Sequence, residues 1–320
     1  MNIRKEIRAM TAAEKLEFTL TLLEMKKSGA YDKYVHWHHE VMVPTVYPNE
    51  PQDPNYRNGA HRGPAFLPWH REMLMQFEKD LQAIKPDITL PYWNWTLDAQ
   101  APELSPLWDQ GFLGGNGDAA DEFRVQDGVF AHKYGNWNVP SYPNEGLPGP
   151  GLKRQFGTVI GSLPTEDDLR MAMSEALYDE PNYNSGPFTR GFRNRLEGWI
   201  VKRGDPNVVT LGSQLHNRVH LWVGGNMLPM TSPDDPVFFL HHCFVDKIWA
   251  DWQAQKMLDE PDLAPHYCPM EQGPPGHNYE DVLKPWTRRI SEVMDITTLG
   301  YSYAPSRPLT KSPFKSPFMA

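Results

Sequence analysis

Residues 215–253 read LHNRVHLWVGGNMLPMTSPDDPVFFLHHCFVDKIWADWQ, and both fold and chemistry turn on this stretch. His216 and His220 are four apart, so on a helix they share one face, a turn from each other. Asp235 followed by Pro236 marks a helix start, Asp as N-cap and Pro at the first helical position. The apolar run behind them carries the adjacent pair His241 and His242. Three imidazoles, His216, His220 and one of that pair, can therefore converge on one metal. Asn217 stands where a zinc peptidase of similar spacing needs a glutamate base, which removes that chemistry. A ligand set of imidazoles alone suits copper or zinc better than magnesium or calcium. Asp246, one turn past His242, is placed to support the site from behind or to anchor a cation such as Arg218.

A second cluster lies upstream. The run Tyr31–Val43 predicts a helix ended by Pro44, and His38 is flanked a turn away by Tyr34, Val35, Val41 and Met42. His38 thus takes the buried face, His36 points about 160° away from it, and His39 is left open by periodicity. In AHRGPAFLPWH (60–70), His61 falls in a loop bounded by Gly and Pro, and His70 leads into an amphipathic helix from Arg71 to about Ile84. Met73, Leu74, Phe77 and Leu81 form its apolar face. Two three-histidine clusters on a helical scaffold point to a dinuclear centre, and that pairing favours copper.

The chain's 320 residues carry a net charge of -9 with no Lys/Arg-rich run, which argues against a nucleic-acid surface. No apolar run approaches membrane length. The first residues, MNIRKEIRAMTAAEKLEF, read as charged and helical instead of as an export signal. A cytoplasmic location is expected, with export alongside a partner as the alternative. Two cysteines, Cys243 and Cys268, make no disulfide framework. Thr11 and Glu14 form a capping box opening a helix over 11–28, with Leu16, Leu20, Leu23 and Met25 at helical spacing. Residues 98–164, rich in Gly, Pro and Asn, predict long loops with a short β-ribbon. Thr165 starts another helix, and a further one over Phe188–Ile200 carries Glu197. No repeat or composition break divides the chain. The expected architecture is mainly α with little β, one domain over 1–303 and an extended tail over 304–320. His36, His132, His266 and His277 read as ordinary structural histidines, Cys243 as a buried, inert thiol, and Met73, Met75 and Met171 as packing residues.

Six segments carry a resemblance: YDKYVHWH (31–38), AHRGPAFLPWHREMLMQFE (60–78), LPYWNW (90–95), RNRLEGW (193–199), LHNRVHLWVGGNM (215–227) and DPVFFLHHCFVDKIWADWQ (235–253). In order and spacing they resemble the bacterial tyrosinases of the type 3 copper family, which includes catechol oxidases and haemocyanins. The resemblance implies a four-helix bundle core holding two copper ions, with O2 as co-substrate. It assigns the first copper to His38, His61 and His70 and the second to His216, His220 and His242, choosing His38 over His39 and His242 over His241. Glu197 and Asn217 match positions that hold a water and help deprotonate a phenol. Leu221, Met230 and Phe238 match residues around the substrate entrance, and Phe66 and Phe238 are expected against ligand imidazoles. The implied activity is oxidation of small phenols and o-diphenols to o-quinones, as in pigment formation, with ortho-hydroxylation of monophenols. A catechol or o-aminophenol oxidase, or a haemocyanin-type O2 carrier, are the alternatives. Gly59 stands where some relatives crosslink a cysteine to the middle histidine, so no such thioether forms here. GYSY (300–303) is similar to the motif that closes the catalytic domain, and the seventeen residues after it are too few for a shielding domain. A separate caddie-type copper-delivery protein is the implied partner.

Overall fold

Helices dominate the computed structural model, which describes residues 1–42, 58–139, 151–200 and 213–305. They are α1 (Ala12–Ser28), α2 (Asp32–Met42), α3 (Phe66–Ile84), α4 (Glu166–Met173), α5 (Phe192–Glu197), α6 (Leu215–Val223) and α7 (Val237–Asp259). The expected end of α2 at Val43 and the tail from 306 lie outside the described residues.

α7 is the axis of the molecule. Every residue from Val237 to Trp249 is buried, because the helix is enclosed on all sides and carries no solvent face over that length. Its Phe239 ring stacks on Phe77 of α3 with centroids 3.6 Å apart and 9° between planes. Tyr34 of α2 meets both rings edge-on, at 5.1 and 6.2 Å. α6 closes the other side, where Phe66 of α3 lies 4.9 Å from the ring of His216. α2, α3, α6 and α7 are thus the bundle, and their facing sides hold the histidines.

Several helix boundaries differ from expectation for identifiable reasons. α3 starts at Phe66, not Arg71, because Pro68 falls within the first turn, where a missing N–H costs nothing. The helix expected over 188–200 shrinks to the 6 residues of α5. Gly191 and Gly198, at φ 128° and 109°, bracket it. Gly198 also lies so close to Gln214 that a Cβ there would sit 2.0 Å from the Gln214 carbonyl oxygen. α1 has the expected capping box and a left-handed Gly29 at its end. Its buried face is Phe18, Leu22 and Met25, however, while Leu16 and Leu20 are half exposed, since the 18-22-25 spacing gives the tighter stripe.

The N-terminus begins as strand β1 (Asn2–Arg4) instead of helix, pairing in parallel with β4 (Tyr301–Tyr303) in the register Asn2↔Tyr301 and Arg4↔Tyr303. The reason is Arg4, which is fully buried and bonds Glu78 of α3 at 2.8 Å with its guanidinium over the Tyr301 ring. The expected β-ribbon is a pair of two-residue strands, β2 (Gly117–Asp118) and β3 (Arg124–Val125). The surrounding loop layer is pinned to the start of α7 by Arg154. Its guanidinium bonds both oxygens of Asp235 at 2.7 and 2.9 Å, and it reaches the carbonyls of Leu113 and Gly114. Asp235 also accepts the N–H of Val237 at 3.0 Å, the capping expected of it. No helix among the described residues is long and apolar enough to cross a membrane.

Candidate metal centre

Among the described residues, two groups of histidines bring their ligand atoms within 4.8 Å of one another: His38, His61 and His70, and His216, His220, His241 and His242. α2 supplies His38 on the face it buries with Tyr34 and Val35, while His36 points outward against Glu40. α3 supplies His70, and α6 supplies His216 and His220 one turn apart. His39 is half-buried and stands outside the first group.

The second group has the sharper geometry. Nε2 of His216 lies 3.2 Å from that of His242 and 3.1 Å from that of His220, and the third side, His220 to His242, is 3.4 Å. A point equidistant from three nitrogens so spaced is about 1.9 Å from each, close to the ~2.0–2.1 Å of an imidazole–metal bond. The Nδ1 atoms show why this arrangement asks for a cation. His220 donates Nδ1–H to the Met227 carbonyl at 2.7 Å, and His216 Nδ1–H faces Asn217 Oδ1 at 2.9 Å and the Glu197 carbonyl at 3.2 Å. With their protons on Nδ1, these rings point bare Nε2 lone pairs at one another, which is repulsive without a positive ion between them. His241 does not share the triangle. Its ring stacks on His216 at 5.0 Å and 15°, and neither of its nitrogens meets a hydrogen-bond partner among the described residues.

The first group follows the same logic. His38 donates Nδ1–H to the Met230 carbonyl at 2.6 Å and His70 to the Phe66 carbonyl at 2.8 Å. Their Nε2 atoms are buried and meet no hydrogen-bond partner among the described residues. The two groups abut: His70 stacks on His242 with centroids 4.1 Å apart and 12° between planes. Burial lowers the pKa of all six imidazoles, to about 3 for His38 and about 4 for His220, and repulsion among neighbouring rings adds to it for His61 and His242. They are therefore neutral near pH 7, the form that binds metal. The donor set fits two ions of the kind that imidazole prefers.

Phe66 and Phe238 each touch both groups. Phe66 lies 5.0 Å from His70 and 4.9 Å from His216; Phe238 lies 5.1 Å from His38 and 4.1 Å from His242. Phe238 is fully buried; as the second residue of α7 it points inward between the rings of His38 and His242. Leu221 and Met230 are half-buried, as is His220 between them. Glu197 is fully buried at the end of α5. One carboxylate oxygen accepts the N–H of Arg62 at 2.7 Å, the other a guanidinium N–H of Arg193 at 3.0 Å. Burial raises its pKa, and Arg193 opposes the rise.

Two further expectations are corrected. Asp246 does not support a histidine and does not hold Arg218. Its oxygens take Arg71 at 2.5 Å and the hydroxyls of Tyr301 and Tyr303 at 2.7 and 2.5 Å. One turn beyond His242, the side chain has already left the metal centre and faces α3. Arg218 is two positions past His216 on α6 and so points away from α7, to Ser162 and Ser213. Cys243 is buried against the Leu90 carbonyl, with its thiol pushed up to about 12 by burial, consistent with an inert thiol. The carbonyl acceptors at Met227 and Met230 have no signal in the sequence; the Arg154–Asp235 pair has a faint one, the Lys153-Arg154 dipeptide in an otherwise Gly- and Pro-rich loop.

Residues 28–255 match the family model for the common central domain of tyrosinase. The chain is 40% identical to a tyrosinase of Streptomyces glaucescens over 287 residues, covering 89% of this chain and 93% of that one. It is 38% identical over 322 residues to the grixazone synthase of Streptomyces griseus, covering 95% and 99%. Its fold superposes on a polyphenol oxidase from Thermothelomyces thermophila with a TM-score of 0.68 at 22% identity, covering 95% of this chain and 89% of that one.

Proposed function

The chain belongs to the tyrosinase family, and from that premise we propose a dicopper oxidase that uses O2 to turn small phenols and o-diphenols into o-quinones. The observation that carries this reading is the pair of abutting histidine groups with unprotonated Nε2 atoms turned inward. His38, His61 and His70 hold one copper, and His216, His220 and His242 the other. When bound, the copper pair supplies the electrons and Lewis acidity for reducing O2.

The protein's own residues do the rest. Phe66 and Phe238 fill the space on either side of the paired rings and keep water from them. Leu221 and Met230 line the approach beside half-buried His220, an apolar border that admits a neutral aromatic ring. Glu197 and Asn217 meet at His216, one through its carbonyl and the other through its side-chain oxygen. They hold a water that takes the phenolic proton, and a deprotonated phenol is what ortho-hydroxylation requires. The balance is one phenol and one O2 to one o-quinone and one water, or two catechols and one O2 to two o-quinones and two waters.

A second reading, a catechol or o-aminophenol oxidase with little hydroxylation, is favoured by one observation: both oxygens of Glu197 already accept hydrogen bonds. The deciding experiment loads the full chain with two equivalents of copper and follows O2 uptake and quinone absorbance with a monophenol and with a catechol. Turnover of both is expected. Catechol turnover alone selects the second reading, and copper-bound protein that binds O2 but oxidises neither would make it a carrier.

A further inference from the structure

His61 is the one histidine of the two proposed triads that stands outside a helix. Four of the others have a ring Nδ1–H directed to a backbone carbonyl, at Met230, Phe66, Glu197 or Met227. His61 Nδ1 is buried and meets no partner among the described residues. Its direction therefore comes from its backbone and from the rings it packs on, Phe66 at 5.5 Å and His70 at 4.8 Å, in a loop that neither helix geometry nor a ring hydrogen bond restrains.

That backbone is held at several points. Asn58 Oδ1 accepts the N–H groups of Ala60 and His61, both at 2.9 Å. Arg62, in the left-handed region at φ 60°, gives its N–H to Glu197. The ends of the loop are joined by a residue far away in sequence. His277 is fully buried; its Nδ1 accepts the N–H of Ala65 at 3.1 Å, and its Nε2 lies 3.1 Å from the Asn58 carbonyl. One nitrogen must accept and the other donate, so a neutral ring protonated on Nε2 satisfies both contacts. The Tyr267 hydroxyl, donating to the His277 carbonyl at 2.8 Å, fixes the residue from behind.

We propose that His277 is a positioning residue for the first copper: by bridging Asn58 to Ala65 it holds the loop in the form that aims His61 at the site. The inference rests on the dicopper reading and adds to it a residue from outside the 28–255 region of the family match. Ordering the loop before metal arrives removes that cost from binding, so loss of the bridge falls on the first site alone. The second site takes all its ligands from helices and is left unchanged.

The test compares wild type with His277→Phe, which keeps a ring but neither hydrogen bond, and His277→Gln, whose amide offers one acceptor and one donor. Copper per chain is counted and Cu(I) affinity measured by competition with a chromophoric chelator. Wild type and His277→Gln are expected to hold two coppers. His277→Phe is expected to bind the first about tenfold to a hundredfold more weakly. A chain left with one Cu(II) then shows an electron paramagnetic resonance signal that a coupled pair lacks. Two coppers in His277→Phe at wild-type affinity, or equal weakening of both, overturns the proposal. Should wild type bind no copper pair, the dicopper reading fails instead. Hydrogen exchange on metal-free wild type judges the bridge independently, and also serves if His277→Phe does not fold. Slow exchange at Ala65, whose N–H the bridge takes, is expected; free exchange there refutes the bridge.

Discussion

Replacing Asp234 by Asn should stabilise the protein at neutral pH and leave its stability in mild acid nearly unchanged. Asp234 is fully buried, and neither carboxylate oxygen meets a hydrogen-bond donor among the described residues. Burial raises its pKa from 3.8 to about 8; the charge of Lys26 opposes the rise without cancelling it, and Asp32 and Asp235 add to it. The folded state therefore keeps the acid protonated while the unfolded chain releases its proton above pH 4. With the folded pKa the higher one, the contribution to stability is intact below the unfolded value and is lost as pH rises toward 8. At about 1.4 kcal/mol per pH unit, the wild type loses roughly 4 kcal/mol by pH 7 relative to pH 4. Asn cannot ionise and loses none of this. For a chain of this size that is a Tm difference of about 8 °C, at roughly 2 °C per kcal/mol. The assay is thermal unfolding of metal-free wild type and Asp234→Asn from pH 4 to 9. The gap between them should open from pH 4 to 8 and then stay constant. A gap independent of pH, or a variant that falls further behind as pH rises, refutes the argument.

Two further outcomes separate roles that adjacent residues leave confusable. His242→Ala should cost one copper per chain while His241→Ala keeps both, because Nε2 of His242, not His241, completes the triangle with His216 and His220; metal analysis after dialysis reads this, and the reverse pattern would reassign the ligand. Asp246→Ala should destabilise the chain by about 3–5 kcal/mol by leaving buried Arg71 without its carboxylate partner, while Arg4 keeps Glu78. Copper stoichiometry should be unaffected where the variant is folded, and a selective loss of one copper would return Asp246 to the metal site.

The parts of the site legible in sequence were those that side chains announce. His216 and His220 declared a shared helix face by spacing, and His38 declared its burial by the apolar residues a turn away. Periodicity could not choose between His241 and His242, since neighbours on a fully buried helix both face protein. Pro68 misplaced the start of α3 because proline reads as a break, although in a first turn it is none. Arg4 was hidden for a different reason. A charge near a chain end looks solvated until its partners are known, and Glu78, Tyr301 and Tyr303 are scattered along the chain. His277 is the same case at the proposed first copper site: nothing within a turn of it in sequence marks the loop it holds.

Least visible in the sequence is the segment 227–235, whose main chain serves both triads. Met227 gives its carbonyl to His220 and Met230 gives its carbonyl to His38, so one stretch of backbone selects the tautomer of a histidine in each. The stretch is itself fixed at its far end. The Pro233 carbonyl accepts the Tyr31 hydroxyl, the Asp234 carbonyl accepts the Trp137 indole, and Asp235 caps α7 while holding Arg154. A shift at the start of α7 would therefore move acceptors at both sites together, whereas a shift in the His61 loop would move one. The two proposed coppers thus differ in what can disturb them singly, and the first is the more exposed to such change.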